Sequence, residues 1–321
     1  MSPLVIAYVG NFRPDHSTET HLARTLEQMG HKVLRIQEDA TNPAQLTRRL
    51  QREDMDLFLF TRTWGKTVEM PHLDLLRKRG VPSVSYHLDL YLGLKRDGGI
   101  DSDPFWRTDY VFTPDGDPAC QAEFERRGIN HRWMMPGVVR DECYLLDLPM
   151  ERDIIFVGSG KPHELDGYHP EWPWRGQLLG WLQDTYGPRF SQHGGRGQPV
   201  RGDALNRLYA STKVAVGDSL TLGFTHENYS TDRPFEMGGR GGFPLFPYYR
   251  GIEKFFTDGV NIVLYKYGDF DGIKDRADYY IEHDAEREKI RRAYHEHVKA
   301  NHTYDNRMAE MFDVLIREGA L

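Results

Sequence analysis

The chain has 321 residues, of which 39% are hydrophobic and 28% charged, and its 41 basic and 48 acidic side chains give a formal net charge of −7. This composition excludes a disordered chain and a general attraction to nucleic acid or anionic membranes. No apolar run approaches the roughly 20 residues of a membrane span. The first residues do not resemble a signal peptide, and Cys120 and Cys143 form no disulfide framework. We therefore expect a cytoplasmic protein, and the length predicts two domains.

The first half of the chain alternates short apolar runs with amphipathic segments. Strands are predicted at residues 4–9, 32–36, 56–60, 81–86, 109–113 and 130–134, with helices beginning near residues 17, 43, 70 and 117. Ser17 is a favourable N-cap, and Asn42 forms a capping-box pattern with Gln45. This alternation with short connections predicts a parallel α/β sheet.

Ligands of parallel sheets bind beyond the carboxyl ends of the strands. We therefore expect the loops after the first and fourth strands to be functional. The first loop supplies Gly10 and Asn11 as candidate ligand contacts, and His87 and Asp89 follow the fourth strand. His87 or Asp89 would act as a general base, or His87 would contact a substrate hydroxyl. The alternative is a histidine that only closes the strand by hydrogen bonding.

The second half restarts the same pattern after an irregular linker at residues 136–149. Strands are predicted at residues 153–157, 213–216 and 261–265, and helices at 174–186, 203–210, 269–282, 284–300 and 303–315. The first of these strands ends at Gly158-Ser159-Gly160-Lys161. A Walker A loop would require glycine at Ile155 and Ser or Thr at Pro162. The turn is therefore not a Walker A loop, although its N–H groups could face a phosphate.

The most informative stretch covers residues 230–246, with the sequence STDRPFEMGGRGGFPLF. It predicts a loop, a short helix and the start of a strand. Arg233 could grip two phosphate oxygens, and Glu236 suits a ribose diol. Gly241 and Gly242, with the neighbouring glycines, would let the backbone approach a ligand closely. The alternative is a glycine-rich turn with a surface ion pair.

Two kinds of possible metal ligand are present. The Asp-x-Asp patterns at residues 101–103 and 115–117 could hold a metal with a sugar nucleotide, but Asp and Gly also favour turns. His295, His297 and His302 lie near the C-terminus, and the first two do not share a helix face. We expect turns at the aspartates, solvated histidines and no metal site.

These motifs resemble those of glycosyltransferases of the GT-B fold, in the family-4-like group that includes spore-maturation-type glycosyltransferases. The likeness is carried by the strand and loop at residues 153–160 with Arg175 in the next helix, by residues 232–242, and by residues 261–265, 279–298, 301–304 and Arg307. It covers about residues 150–315. The fold it implies has two Rossmann-like parallel-sheet domains facing across a cleft, with the C-terminal helix crossing back to the first domain.

The resemblance also implies roles for the domains. Residues 1–148, with a C-terminal helix at about 303–321, would form the acceptor domain, and residues 149–302 would form the nucleotide-sugar donor domain. Glu236 would hold the donor ribose, and Arg233 and Gly241 would lie at the diphosphate. The family often has a second glutamate eight residues before this one, where this chain has Asn228. That departure leaves the choice between retention and inversion open.

The expected activity is metal-independent transfer of a sugar from a nucleotide-diphosphate sugar, most simply a UDP-sugar, to a hydroxyl. No cofactor other than this donor is expected. Arg233 would stabilise the leaving diphosphate, with His87 or Asp89 as the base of an inverting reaction. The donor-binding candidates are Gly10, Asn11, Gly158, Ser159, Lys161, Arg175, Ser219, Arg233, Glu236, Gly241 and Gly242.

Two other functions stay open. A nucleotide-sugar epimerase or hydrolase would share the fold, and a non-catalytic nucleotide-sugar-binding protein would explain Asn228. The acceptor could be a glycan, a protein, a small molecule or modified DNA. The basic patches at residues 48–52 and 77–79 are interpreted as solvated helix faces. The net charge does not favour a nucleic-acid acceptor.

Overall fold

The computed structural model describes residues 2–61, 66–94, 99–167, 169–195 and 199–321. Its strands are β1 (Val5–Gly10), β2 (Lys32–Gln37), β3 (Leu57–Phe60), β4 (Ser83–Tyr86), β5 (Tyr110–Thr113), β6 (His131–Trp133), β7 (Arg152–Val157), β8 (Phe190–His193), β9 (Thr212–Val216), β10 (Pro244–Pro247) and β11 (Val263–Tyr265). Its helices are α1 (Thr18–Gln28), α2 (Pro43–Arg52), α3 (Met70–Lys78), α4 (Pro118–Arg126), α5 (Trp172–Tyr186), α6 (Gly202–Ala210), α7 (Arg233–Gly239), α8 (Phe270–Glu282), α9 (Asp284–Asn301) and α10 (Tyr304–Arg317).

The chain divides into two compact units. The first unit is Met1–Met135 with Tyr304–Leu321, and the second is Pro136–Thr303. The sequence placed the domain boundary after residue 148, whereas residues 136–148 lie in the second unit. The assignment of acceptor and donor to the two domains stays a prediction.

The first unit is built on a parallel sheet with the strand order β2-β1-β3-β4-β5-β6. Its central strands are apolar on both faces because helices cover both sides, as in the consecutive residues Ile6 and Ala7, which are fully buried. Ser17 accepts a hydrogen bond from the Thr20 N–H, and Asn42 forms the full capping box. The predicted parallel sheet and both helix starts are confirmed.

The C-terminal helix α10 belongs to this first unit. It contacts α1, and Met308, Phe312 and Leu315 are buried. The Phe312 ring lies 4.9 Å from the His31 ring, and Glu318 pairs with Arg132 at 2.8 Å. The prediction that the last helix returns to the first domain is confirmed.

The second unit has a parallel sheet with the order β11-β10-β9-β7-β8. The sequence did not predict β8, because its residues FSQH lack an apolar run and are only half-buried. This strand lies at the edge of the sheet, where burial does not impose an apolar pattern. The loop, short helix and strand expected over residues 230–246 are confirmed by α7 and β10.

Each sheet contains one point where successive strands are added on opposite sides. In the first unit β1 lies between β2 and β3, and in the second unit β7 lies between β8 and β9. Such a switch point opens a crevice at the carboxyl ends of the strands, where ligands of open α/β sheets bind. Among the residues described, no helix is both long and apolar enough to cross a membrane.

Candidate functional site

The loop after β7 lies at the switch point of the second unit and is held by the neighbouring edge strand. The Gly158 N–H donates to the His193 carbonyl at 2.8 Å. Gln192 Nε2 donates to the carbonyls of Gly158 and Gly160 at 3.0 and 2.9 Å. The strand that sequence reasoning missed therefore fixes the conformation of the predicted phosphate loop. Lys161 is exposed at the end of this loop.

The loop after β9 contributes a buried carboxylate, Asp218, which joins two predicted site residues. Arg175 donates to it from Nε at 2.7 Å and from Nη2 at 3.1 Å. Arg233 Nη1 donates to the Asp218 carbonyl at 2.8 Å and also contacts its carboxylate. Asp218 was not predicted, although its place directly after an apolar strand was a usable signal.

The charge of Asp218 is stabilised by these two arginines. Burial opposes ionisation, but the guanidinium groups of Arg175 and Arg233 outweigh it, so the pKa of Asp218 lies below its ordinary value. With Asp218 ionised, the three side chains together carry one net positive charge. That charge suits an anionic ligand such as a diphosphate.

The two arginines differ in access. The Arg175 side chain is 5% exposed, lies 4.7 Å from the Trp172 ring, and directs another donor to the Ser159 carbonyl at 3.4 Å. The Arg233 side chain is 18% exposed. A Cβ atom on Gly158 would lie 3.0 Å from Arg233 Nη2, so glycine at this position leaves room for the guanidinium. Arg233 is therefore the cation that a ligand can reach, and Arg175 is suited to positioning Asp218 and the loop.

Glu236 lies one helical turn after Arg233 on α7. Its carboxylate accepts a hydrogen bond from Arg240 Nε through Oε2, and 22% of its side chain is exposed. A carboxylate in this position can still accept hydrogen bonds from a ligand diol. Sequence reasoning did not predict Arg240.

The glycines after Glu236 do not have the predicted role. The N–H groups of Gly241 and Gly242 donate to the carbonyls of Gly238 and Met237 at 3.1 and 2.9 Å. Gly241 has φ +78° and ends α7, and a Cβ on Gly242 would lie 2.8 Å from the Tyr209 ring. These two glycines therefore end the helix and allow close packing. We correct the prediction that their N–H groups hold the diphosphate.

Two buried hydroxyl groups border the same loops. Among the residues that the structure describes, Ser219 Oγ and Thr231 Oγ1 have no hydrogen-bond partner. Ser219 is adjacent to Asp218, and Thr231 lies just before α7. A buried polar group without a partner is unfavourable, so a polar ligand here would satisfy it. Ser219 stays a candidate ligand contact.

Asn228 occupies the position where the resembled family often has glutamate. Its φ is +56°, its N–H donates to the Arg250 carbonyl at 2.8 Å, and a Cβ on Gly251 would lie 2.7 Å from Asn228 Oδ1. Asparagine is one of the few residues that tolerate this left-handed conformation. The local backbone therefore accounts for asparagine at this position.

The remaining donor-binding candidates, Gly10 and Asn11, lie in the first unit. A Cβ on Gly10 would lie 2.6 Å from Glu19 Cγ, so glycine is needed where α1 approaches β1. Asn11 Oδ1 accepts from Gln37 Nε2 at 3.1 Å, and its carbonyl accepts from Ser17 Oγ at 2.7 Å. In this structure both residues shape the β1–α1 loop, and ligand contact stays a prediction.

His87 and Asp89 follow β4, which is separated from β1 by β3. The backbone N–H of His87 donates to the Phe112 carbonyl at 2.9 Å. The His87 ring lies 5.7 Å from the Phe105 ring and 5.8 Å from the Tyr91 ring. Asp89 is exposed. The two residues are thus placed together at the carboxyl end of one strand, as expected, with His87 set against aromatic side chains.

The other candidate metal ligands have structural contacts. Asp103 accepts from the Phe105 N–H at 3.0 Å, and Asp117 accepts from the Ala119 N–H at 2.9 Å, as expected for aspartates at turns and helix starts. The prediction of solvated histidines is wrong for His295 and His302, which are buried. His295 Nδ1 lies 3.2 Å from the Gly238 carbonyl, because α9 packs directly on α7.

Comparisons with known proteins agree with this architecture. Residues 171–313 match the family model described as glycosyl transferase-like. The fold is similar to that of an alpha-glucosyltransferase in complex with UDP, with TM-score 0.66, 12% identity, and coverage of 98% of this chain and 100% of that chain. It is also similar to sucrose-phosphate synthase from Thermosynechococcus elongatus, with TM-score 0.59, 10% identity, and coverage of 98% and 100%.

A third similar structure is Anabaena HepE in complex with UDP and glucose, with TM-score 0.57, 12% identity, and coverage of 97% of this chain and 100% of that chain. No sequence among curated proteins matches the chain. At these identities the structural likeness shows the fold, which is GT-B, and the family match over residues 171–313 concerns the unit that holds the candidate site. The chain therefore has the GT-B fold, and it is similar to glycosyltransferases over residues 171–313.

Proposed function

We propose that the donor is a UDP-sugar and that it binds at the switch point of the second unit. The observation that carries this proposal is the cluster of Arg233, Asp218 and the loop at Gly158. It presents one accessible guanidinium beside the Gly158 loop at the carboxyl ends of β7 and β9. The choice of UDP is supported by the similar structures that contain it.

Arg233 then contacts the diphosphate, and Glu236 accepts hydrogen bonds from the ribose hydroxyls. As the bond between sugar and diphosphate breaks, negative charge grows on the leaving group, and Arg233 stabilises it without reorganisation of solvent. Arg175 supports this arrangement through Asp218, and Ser219 and Lys161 are further contacts. The transfer needs no metal in this proposal, because a protein cation supplies the positive charge.

The acceptor hydroxyl is assigned to the first unit, with His87 and Asp89 as its polar contacts. If the reaction inverts the anomeric centre, one of the two deprotonates the acceptor hydroxyl. If the reaction retains it, no dedicated base is required and His87 contacts the sugar. The anomeric configuration of the product, measured by NMR, decides between these roles.

Two alternative functions can be distinguished by assays of the sugar nucleotide without acceptor. An epimerase or hydrolase would convert the sugar nucleotide with no acceptor present, and a non-catalytic binding protein would bind it without turnover. The backbone at Asn228 explains that residue without loss of chemistry, which removes the main support for a binding protein. Membership of the spore-maturation-type subgroup rests on the sequence motifs.

A DNA acceptor is the most specific alternative to a small molecule, a glycan or a protein. It is suggested by similar alpha-glucosyltransferase structures that contain UDP and a 13-mer DNA. Against it, several arginines of the basic patches are already used within the chain. Arg49 pairs with Glu53, Arg77 with Asp109, and Arg79 donates to the Glu53 carbonyl. Binding of DNA that weakens steeply with added salt would support a DNA acceptor.

The donor assignment is tested by thermal unfolding of the wild type and Glu236→Ala in the presence of nucleoside diphosphates and their sugars. A ligand at about 100 times its dissociation constant stabilises by about 2.7 kcal/mol, which corresponds to a shift of a few degrees. We expect the shift with UDP or a UDP-sugar and its reduction in Glu236→Ala. A wild type that responds to no nucleotide would contradict the proposal.

A further inference from the structure

Arg240 at the end of α7 is a buried arginine that the proposed reaction has not yet used. Its side chain is 1% exposed, and it is among the largest fully buried side chains of the described chain. A buried guanidinium is unfavourable unless its donors and its charge are matched. Its partners therefore show what holds it in place.

Three elements of the second unit hold the Arg240 guanidinium. Nη1 donates to Asn206 Oδ1 of α6 at 2.8 Å and to the Gly202 carbonyl at 3.3 Å. Nη2 contacts the carboxylate of Glu142, which ends a short 3-10 helix. With these contacts the plane of the guanidinium is fixed, and Nε is left directed at the Glu236 carboxylate.

The charge state of Glu236 depends on this arrangement. Burial and the nearby Asp232 raise the pKa of Glu236 to about 8, although Arg201 opposes this rise. Ion pairing with Arg240 opposes it further. Tyr209 also lies near the Glu236 carboxylate and supplies no positive charge. A protonated Glu236 would have less capacity to accept hydrogen bonds from a diol.

We propose that Arg240 is a positioning residue that orients the Glu236 carboxylate for the donor ribose and favours its ionised form. Asn206 and Glu142 fix the guanidinium, since they bind Nη1 and Nη2 and leave Nε to face Glu236. The inference rests on the proposed function, in which Glu236 binds the ribose. It adds a residue that does not itself contact the ligand.

A purely structural role is the competing explanation, because the same contacts tie the 3-10 helix and α6 to α7. The two roles differ in what they predict for ligands with and without ribose hydroxyls. A positioning residue affects only ligands that use Glu236. Structural damage to the site weakens the binding of ligands with and without ribose hydroxyls equally.

The experiment measures dissociation constants of UDP and of 2′,3′-dideoxy-UDP by calorimetry, on the full chain. For Arg240→Met we expect UDP to bind about tenfold more weakly, the effect of weakening one charge-assisted hydrogen bond. Binding of the dideoxy analogue should change by less than about twofold. Arg240→Lys keeps the charge without the fork, so it should recover part of the loss.

Arg287→Met is the matched control. Arg287 is also buried, but it donates to the Tyr280 carbonyl at the end of α8, so its loss should leave the preference for UDP unchanged. The pH gives a second readout. Relative to wild type, in which the Glu236 pKa is about 8, Arg240→Met should bind UDP progressively more weakly as the pH falls from about 10 to about 8, because loss of the ion pair raises the Glu236 pKa further. The ratio to wild type cancels the titration of UDP itself.

Equal weakening of both ligands in Arg240→Met, or no change in either, would overturn the inference. If Arg240→Met does not fold, Arg240→Lys is judged by the same ratio of the two ligands. A wild type that does not bind UDP, or that binds UDP and its dideoxy analogue equally, would instead refute the proposed role of Glu236. Failure of the inference and failure of the proposed function are thus distinguished by the wild type alone.

Discussion

At the scale of single residues, the candidate site depends on arginines whose roles are set by their partners. Arg175 and Arg233 both bind Asp218, yet only Arg233 keeps a useful exposed surface. Arg240 is buried against Glu236 and Glu142. In the proposed site the same side-chain type is a ligand contact at Arg233 and a support at Arg175 and Arg240, and burial distinguishes the two roles.

Asp218→Asn tests the central ion pair. Removing one partner of a buried charged network leaves the other charges unmatched, so we expect the free energy of unfolding to fall by about 3 kcal/mol. Because the folded pKa of Asp218 lies below its ordinary value, its contribution is present above the ordinary carboxyl pKa of about 3.9 and is lost as the pH falls through the folded value. Urea unfolding of both proteins should therefore show a constant difference between about pH 5 and pH 8 that disappears only in stronger acid.

Asp184→Asn is the control for this prediction, since the Asp184 side chain is 69% exposed and its partner His163 is also exposed. An exposed pair contributes little, so its change should be within about 0.5 kcal/mol. Equal effects of the two substitutions would contradict a special role for Asp218.

At the scale of secondary-structure elements, α10 completes the first unit although it is last in the sequence. Its buried face of Met308, Phe312 and Leu315 covers apolar surface that α1 and its surroundings would otherwise expose. Burying such a face is the main source of stability for a helix of this length. The first unit is therefore complete only once residues 304–321 have been made.

Phe312→Ala should lower the free energy of unfolding by about 3–5 kcal/mol, because it removes a buried aromatic ring and leaves a cavity. Ile316→Ala is the control on the same helix, since Ile316 is 47% exposed, and it should cost less than about 1 kcal/mol. Urea unfolding of the two variants measures the difference. A Phe312→Ala protein as stable as the control would show that α10 contributes little to the first unit.

At the scale of the whole molecule, two parallel-sheet units of similar design are joined in one chain. The candidate donor site in the second unit has an accessible protein cation, Arg233. Asp103 and Asp117 of the Asp-x-Asp patterns accept hydrogen bonds from backbone N–H groups as turn and cap residues. The activity of such an enzyme should depend on Arg233 rather than on a divalent ion.

Turnover of a UDP-sugar should therefore be unchanged by a chelator and by subsequent addition of Mg²⁺ or Mn²⁺. Arg233→Met should lower kcat by about a hundredfold or more, because the charge that develops on the leaving diphosphate loses its preorganised partner. The measurement is release of UDP with and without chelator. Loss of activity in the chelator with recovery in Mn²⁺ would refute metal independence.

The sequence by itself determined the parallel α/β class, most helix starts, and the short helix that carries Arg233 and Glu236. These features follow from local patterns: apolar runs of strand length, capping residues and glycines at helix ends. Gly158 and Ser219 were predicted as ligand contacts in the same way, because loops after buried strands are where ligands bind.

Only the tertiary structure revealed Asp218 and Arg240, the edge strand β8, and the packing role of Gly241 and Gly242. Asp218 meets Arg175 across 43 residues of sequence, and Arg240 meets Glu142 across 98. Such contacts leave no periodic or spacing signal, because they are set by which elements the fold brings together. The glycine cluster was misread for the same reason, since a glycine that admits a ligand and one that admits a tyrosine ring look alike in sequence.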